Sequence, residues 1–142
     1  MVTLSDARID ELIAEDVPYI DLTSHILGID AQAGAMEYFT REACVLAGGE
    51  VASRIATKLG CVVTNILPDG TALEAGQSFM TIGGTAAQLH QAWKVCLNVF
   101  DHLSAVATKT RMMVDAAHAA NPSCEILTTR KSIPGVKDLL VE

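Results

Sequence analysis

A chain of 142 residues is long enough for one ordinary domain, or for one domain and part of a second. Half of its residues are hydrophobic, which predicts a packed core and excludes a disordered chain. The formal net charge of −7 argues against general binding to nucleic acids or membrane surfaces. Any cations that matter for function must therefore act locally.

The sequence also indicates the compartment in which the protein works. The cysteines form neither a Cys-x-x-Cys pair nor a zinc-binding spacing, and the histidines have no metal-binding spacing either, so we predict no metal site and expect free thiols in a reducing compartment. The N-terminus lacks the basic and apolar regions of a signal peptide, and no apolar stretch approaches the roughly 20 residues that span a bilayer. We expect a cytoplasmic protein without membrane insertion.

The first part of the chain predicts a small mixed domain. Thr3 and Asp6 have the spacing of a capping box at the start of an amphipathic helix, and the polar stretch 16–27 that follows is expected to be irregular. Gly60 is typical of a helix C-terminus, and the sequence Pro68-Asp69-Gly70 predicts a turn. The predicted helices are residues 4–15 and 50–59, and the predicted strands are residues 35–40, 44–47, 61–67 and 78–82.

Residues 85–121 have helical periodicity. One apolar stripe runs from Leu89 to Phe100, and after Leu103 the phase of the pattern changes, so we predict two helices that meet near Ser104. The predicted polar stripe of the second helix consists of Ser104, Thr108, Arg111 and Asp115. A strand is predicted at residues 124–127, and the fold class is α+β.

The most informative segment for function lies near the C-terminus. Thr128 to Lys137 places three cations within eight residues of an acidic protein, beside hydroxyl groups, and Pro134 with Gly135 interrupts regular structure. A strand that ends in paired cations is suited to holding carboxylates or phosphates. We call residues 128–135 the cationic segment and expect a binding site there.

Four ordered blocks resemble those of the quinolinate phosphoribosyltransferase family. They are Glu15 to Thr23, Lys94 to Phe100, Leu103 to Arg111, and Thr129 to Gly135. The last block is similar to the family sequence Thr-Arg-Lys-Thr-x-Pro-Gly. Trp93-Lys94 departs from the usual Glu-Arg pair, and that departure is similar to the ModD-like branch of the family, which is encoded with molybdate-transport systems.

The resemblance implies a hammerhead-like N-terminal α/β sandwich (residues 1–103), followed by a second connector helix and the first strand of a truncated C-terminal α/β barrel (residues 104–142). It also implies a homodimer or higher oligomer in which subunits complete each other's sites. The implied reaction transfers phosphoribosyl from phosphoribosyl pyrophosphate to an aromatic, quinolinate-like carboxylic acid, with Mg²⁺ and release of pyrophosphate. A complete barrel needs roughly 200 residues or more, so we expect Mg²⁺ ligands beyond this chain and an inactive fragment.

The same resemblance assigns roles to individual residues. Arg130 is expected to bind the dicarboxylate acceptor through its planar fork, and Lys131 to bind phosphoribosyl pyrophosphate as a point charge, with Thr129 in support. Lys94 aligns with a family Arg that reaches across the dimer to the acceptor, although a solvated helix cation remains an alternative.

Three residues of the predicted helices have supporting roles. Thr108 and Arg111 are expected to support the binding site from behind. For Arg111, an ion pair with Asp115 is an equally good explanation. Asn98 is expected to satisfy backbone groups more than to bind substrate.

A rival interpretation is a non-catalytic protein that binds oxyanions or assists assembly in molybdenum transport or cofactor metabolism. The Lys94 and Trp93 departures motivate it, because an oxyanion such as molybdate would suit the same cations.

Overall fold

The structure, a computed structural model, describes residues 4–17, 22–129, 131, 133 and 135–140. Its helices are α1 Asp6–Asp16, α2 Leu22–Leu27, α3 Gly49–Lys58, α4 Ala86–Ala120 and α5 Lys137–Leu140. Its strands are β1 Ala33–Phe39, β2 Cys44–Val45, β3 Val62–Ile66, β4 Ala72–Leu73 and β5 Ser78–Thr85. The α+β class predicted from the sequence is confirmed.

The strands form two antiparallel sheets. In the larger sheet, β5 lies between β1 and β3, and Ile82 of β5 is paired with Met36 on one side and Val63 on the other. The smaller sheet pairs β2 with β4. Because side chains alternate across a strand, Tyr38 and Ile82 point into the core while Glu37 is exposed.

Helices α3 and α4 cover the inner face of the larger sheet. On α3, Val51, Ala52 and Ile55 are buried at the spacing of one helix face. Phe100 of α4 meets Phe79 of β5 edge to face, with ring centroids 4.8 Å apart. Aromatic pairs of this geometry stabilise a core beyond the area they bury, so this contact fixes α4 on the sheet.

Helix α4 is one continuous helix of 35 residues, and the prediction of two helices was wrong. It begins with a capping box between Thr85 and Gln88. No Gly or Pro occurs between Ala86 and Ala120, so nothing in the backbone chemistry breaks it. The predicted domain boundary between residues 103 and 104 lies inside this helix.

The change of phase near Ser104 reflects a change of surroundings. The Ser104 Oγ accepts from the backbone N–H of Ala47 at 3.1 Å, and the Thr108 Oγ1 accepts from the backbone N–H of Val45 at 2.9 Å. These hydroxyls therefore face β2, and they do not form one solvent-exposed stripe with Arg111.

Two further expectations need correction. Leu22–Leu27 is a helix, although the polar stretch 16–27 was expected to be irregular. Residues 124–127 are not a strand, because a strand is defined by hydrogen bonds to a neighbour and no described residue pairs with them. By contrast, the predicted elements at α1, α3 and β3 are confirmed to within two residues at their ends.

Candidate substrate-binding site

The cationic segment follows α4 and is partly described. Arg130, Ser132 and Pro134 lie outside the described residues, so the structure does not place the predicted carboxylate-binding Arg130. Lys131 is exposed, and its backbone N–H donates to the Thr129 Oγ1 at 3.1 Å. The Thr129 hydroxyl donates in turn to the carbonyl oxygen of Lys131. Thr129 thus closes a short turn that presents Lys131 to solvent.

Lys131 borders an open cavity of about 740 Å³ on the flank of α4. The side chains opposite it on α4 are mainly apolar, and Thr110 contributes a hydroxyl. A second cavity of about 630 Å³ adjoins the first, shares Thr110 and Thr128 with it, and is lined by Arg111. The fold therefore brings Lys131, Thr129 and Arg111 to one region of the surface.

Arg111 is exposed and makes the ion pair that its spacing allows. Its Nη1 lies 3.7 Å from the Asp115 Oδ1, one helical turn away. Such an exposed pair contributes about 0.3–0.5 kcal/mol, so the guanidinium is not held tightly. The Arg111 side chain is thus free to turn toward the cavity that it lines.

Thr108 and Asn98 hold secondary structure together. The Thr108 hydroxyl bonds to β2 and donates to the Ser104 carbonyl oxygen at 2.6 Å. The Asn98 Nδ2 donates to the Asp16 Oδ2 at 2.8 Å, which ties the end of α1 to α4. The partner of Asn98 is therefore a side chain, whereas the sequence suggested backbone groups.

Lys94 lies far from the cationic segment along α4. It is exposed, and its Nζ lies 4.5 Å from the centre of the Trp93 ring, within cation–π range. At a rise of 1.5 Å per residue, Lys94 and Thr110 are about 24 Å apart along the helix axis. Because Thr110 shares a cavity with Lys131, one copy of the chain does not bring Lys94 and Lys131 together.

The described residues offer no metal centre and no membrane span. No group of three or more His, Cys, Asp or Glu side chains among them is arranged to hold a metal ion. The Mg²⁺ ligands that the resemblance implies are expected beyond this chain and stay a prediction. Within the same part of the chain, no helix combines the length and apolarity that crossing a bilayer requires.

Sequence reasoning missed one residue near the cationic segment. Arg8 of α1 donates from Nη2 to the carbonyl oxygen of Gly135, at the end of that segment. The two residues are 127 positions apart, and Arg8 has the ordinary spacing of an i,i+3 pair with Glu11. No local pattern marks such a contact, because it depends on how the chain ends meet in three dimensions.

Comparison with known proteins extends these observations. Residues 21–104 match the family model described as quinolinate phosphoribosyl transferase, N-terminal domain. The chain is 36% identical over 137 residues to the "Putative pyrophosphorylase ModD" of Escherichia coli O157:H7, covering 96% of this chain and 48% of that protein. It is 29% identical over 136 residues to the carboxylating nicotinate-nucleotide pyrophosphorylase of Homo sapiens, covering 96% and 45%.

The fold has solved counterparts. The crystal structure of nicotinate-nucleotide pyrophosphorylase from Ehrlichia chaffeensis superposes with a TM-score of 0.86 at 22% identity, covering 99% of this chain and 52% of that one. The chain spans about half the length of the curated relatives it matches. The resemblance to the ModD-like branch is confirmed, and the chain belongs to the quinolinate phosphoribosyltransferase family.

Proposed function

We propose that this chain is part of a phosphoribosyltransferase that moves phosphoribosyl from phosphoribosyl pyrophosphate to an aromatic, quinolinate-like carboxylic acid. The observation that carries the proposal is the cationic segment, which presents Lys131 beside a cavity and near Arg111 in a chain of this family. The names of the relatives, which include pyrophosphorylases, support the release of pyrophosphate.

The chemistry asks for cations that the segment supplies. In the transfer, the bond from the sugar to pyrophosphate breaks and a bond to the acceptor forms, so negative charge develops on the leaving group. Lys131 neutralises phosphate oxygens as a point charge, and Arg130 holds a planar carboxylate through two parallel hydrogen bonds. Fixed cations at these positions stabilise the transition state more than the ground state.

Lys94 enters the site from a second copy of the chain in this proposal. The axial separation of about 24 Å excludes a contribution within one copy. The exposed Trp93 beside Lys94 provides apolar area for such an association, being 45% exposed. The protein then works as a homodimer or a higher oligomer, with two chains contributing cations to each site.

The 142-residue chain alone is proposed to be inactive. The described residues hold no metal-binding cluster, and one copy separates Lys94 from Lys131. The free thiols of Cys44, Cys61, Cys96 and Cys124 suit the reducing cytoplasm.

The test is pyrophosphate release from phosphoribosyl pyrophosphate with Mg²⁺ and a panel of pyridine and other aromatic carboxylates. The full-length gene product is compared with the 142-residue chain. We expect release that depends on one acceptor, a loss of about 100-fold or more in Lys131→Ala and Arg130→Ala, and little change in Lys109→Ala, an exposed control lysine on α4. No release from a folded full-length protein with any acceptor would contradict the proposal.

A mixing experiment tests the shared site. Lys94→Ala and Lys131→Ala proteins, each inactive alone, are combined under conditions that exchange subunits. A mixed dimer carries one site with both lysines intact, so activity should return to about a quarter of the unmutated value after statistical exchange. Activity that stays at the level of the separate variants would show that Lys94 and Lys131 do not form a site across the subunit interface.

A second candidate function rests on Lys94. Its ammonium group lies over the Trp93 ring, so it offers a single point charge where the family Arg offers a fork. A compact tetrahedral oxyanion such as molybdate needs no planar recognition, which suits a binding or assembly role in molybdenum handling. Calorimetry separates the two functions, because molybdate binding without phosphoribosyl pyrophosphate binding favours the second.

A further inference from the structure

Arg8 joins the N-terminal helix to the end of the cationic segment. Its Nη2 donates to the carbonyl oxygen of Gly135, and its Nε lies 3.7 Å from the Asp138 Oδ2. Its Nη1 pairs with the Glu11 Oε2 at 2.8 Å on α1 itself. The side chain is only 23% exposed, so the guanidinium is held in one orientation by three partners from two regions of the chain.

The contact falls at the point where the cationic segment needs an anchor. Gly135 lies four residues after Lys131 and has a φ of +87°, the left-handed conformation that favours glycine. Beyond it, α5 is stabilised by the backbone hydrogen bond from Leu140 to Val136, and Leu139 packs against the hydrophobic core. The Thr129 turn fixes the front of the segment, and Arg8 fixes its rear.

Arg8 also matters for charge. Asp138 lies close behind a segment whose role is to attract anions, and a carboxylate there repels an incoming phosphate group. The guanidinium of Arg8 pairs with that carboxylate and with Glu11, so its positive charge offsets part of their combined negative charge. One residue thus fixes the position of the segment and reduces the negative charge behind it.

We propose that Arg8 is the positioning residue of the cationic segment, holding Gly135 and Asp138 so that Lys131 is placed to bind phosphate groups. The proposal rests on the proposed function for the role of Lys131, and the anchoring itself rests on the contacts of Arg8 alone.

The chain offers a matched control in Arg54. Its Nη1 donates to the carbonyl oxygen of Leu4 at 2.7 Å, and its Nη2 pairs with the Asp6 Oδ1 at 2.7 Å. Arg54 therefore also combines a backbone carbonyl with a carboxylate and also holds the start of α1, but its contacts are with Leu4 and Asp6 rather than with the cationic segment or α5. Arg54→Ala weakens the docking of α1 without removing the anchor of Gly135.

The experiment measures amide hydrogen exchange and binding of inorganic pyrophosphate in Arg8→Ala, Arg8→Lys and Arg54→Ala. We expect roughly tenfold faster exchange at the Leu139 and Leu140 amides and roughly tenfold weaker pyrophosphate binding in Arg8→Ala, since a charge-assisted hydrogen bond is lost. Arg8→Lys should recover part of both, because an ammonium group still reaches one acceptor. Arg54→Ala should lower the melting temperature without either change.

The outcomes separate the two proposals. If Arg8→Ala leaves exchange at Leu139 and Leu140 unchanged, or if Arg54→Ala accelerates it equally, the positioning role is overturned. If the unmutated chain binds no pyrophosphate, the proposed function loses its support, while the exchange data still decide whether Arg8 anchors the segment. Faster exchange with unchanged pyrophosphate affinity would overturn the claim that the anchor places Lys131.

Discussion

The two halves of α4 belong to one helix but have opposite surroundings. From Leu89 to Phe100, its apolar face is buried against the sheet and α3. Beyond Ser104, its apolar side chains are largely exposed, with Met112 and Met113 at 65% and 63%. The difference shows that an apolar stripe in the sequence indicates a face that other atoms can cover, and does not say which part of the fold covers it.

The comparison has a consequence for stability. Burial of apolar area stabilises a fold by roughly 25 cal/mol per Å², so the first half of α4 contributes most of what the helix adds to the core. The second half is attached mainly by the hydroxyl groups of Ser104 and Thr108, which accept from the backbone N–H groups of Ala47 and Val45. Substitutions along one helix should therefore differ by several kcal/mol according to their position.

The largest expected effect is at Phe100. Phe100→Ala removes a side chain that is 2% exposed and packs on Tyr38 and Phe79, so the free energy of unfolding should fall by about 3–5 kcal/mol. Met113→Ala, in the exposed half, should change it by less than about 0.5 kcal/mol. Urea unfolding of both variants measures the difference. Equal losses would show that the second half of α4 is as well packed as the first.

Ser104 is the boundary between the halves, and its loss should have an intermediate effect. Ser104→Ala leaves the backbone N–H of Ala47 without its partner, which costs about 1–3 kcal/mol. Thr110→Ala, on the exposed side of the same helix, serves as the control and should be close to neutral. Urea unfolding again provides the measurement, and an unchanged midpoint in Ser104→Ala would mean that the hydroxyl does not hold β2.

Two further predictions concern the cysteine thiols, which differ in how deeply they are buried. Burial raises the pKa of the Cys96 thiol from its usual value near 9.0 to about 12, and it also raises the pKa of Cys61. At pH 8, a thiol reagent should therefore modify half-buried Cys124 and Cys44 well before Cys96. Rapid modification of Cys96 in the folded chain would contradict the burial of the α4 face that carries it.

The same thiols predict a loss of stability in alkali. In the folded state Cys96 stays protonated up to a pKa of about 12, whereas in the unfolded chain it ionises near 9.0. Its contribution is therefore fully present below about pH 9 and is lost as the pH rises toward the folded pKa. The melting temperature of Cys96→Ala should be less sensitive to pH across that window than that of the unmutated chain.

Local chemistry made much of the fold predictable. Helix α3 and strand β3 were predictable because Gly60 and the Pro68–Gly70 turn interrupt the chain where the elements end. The continuity of α4 was not, because the polar residues that turn inward at Ser104 meet a backbone far away in sequence.

The candidate site divides in the same way. Thr129 and Lys131 were predicted from a local sequence pattern and the family resemblance, and the structure brings them to one region of the surface with Arg111. The role of Arg8 could not be predicted from the sequence, because its contact with Gly135 depends on tertiary structure alone. The predicted strand at 124–127 failed for a related reason, since pairing needs a neighbour that the sequence of the segment does not specify.

The hydroxyl contacts of α4 also protect the smaller sheet from unwanted pairing. An edge strand exposes backbone N–H groups on which another chain can add a strand. On β2 and just after it, the N–H groups of Val45 and Ala47 donate to Thr108 and Ser104, so these two donors are already occupied. A two-residue strand that would otherwise be an open edge is thereby closed by a helix, which makes strand addition at this place unfavourable.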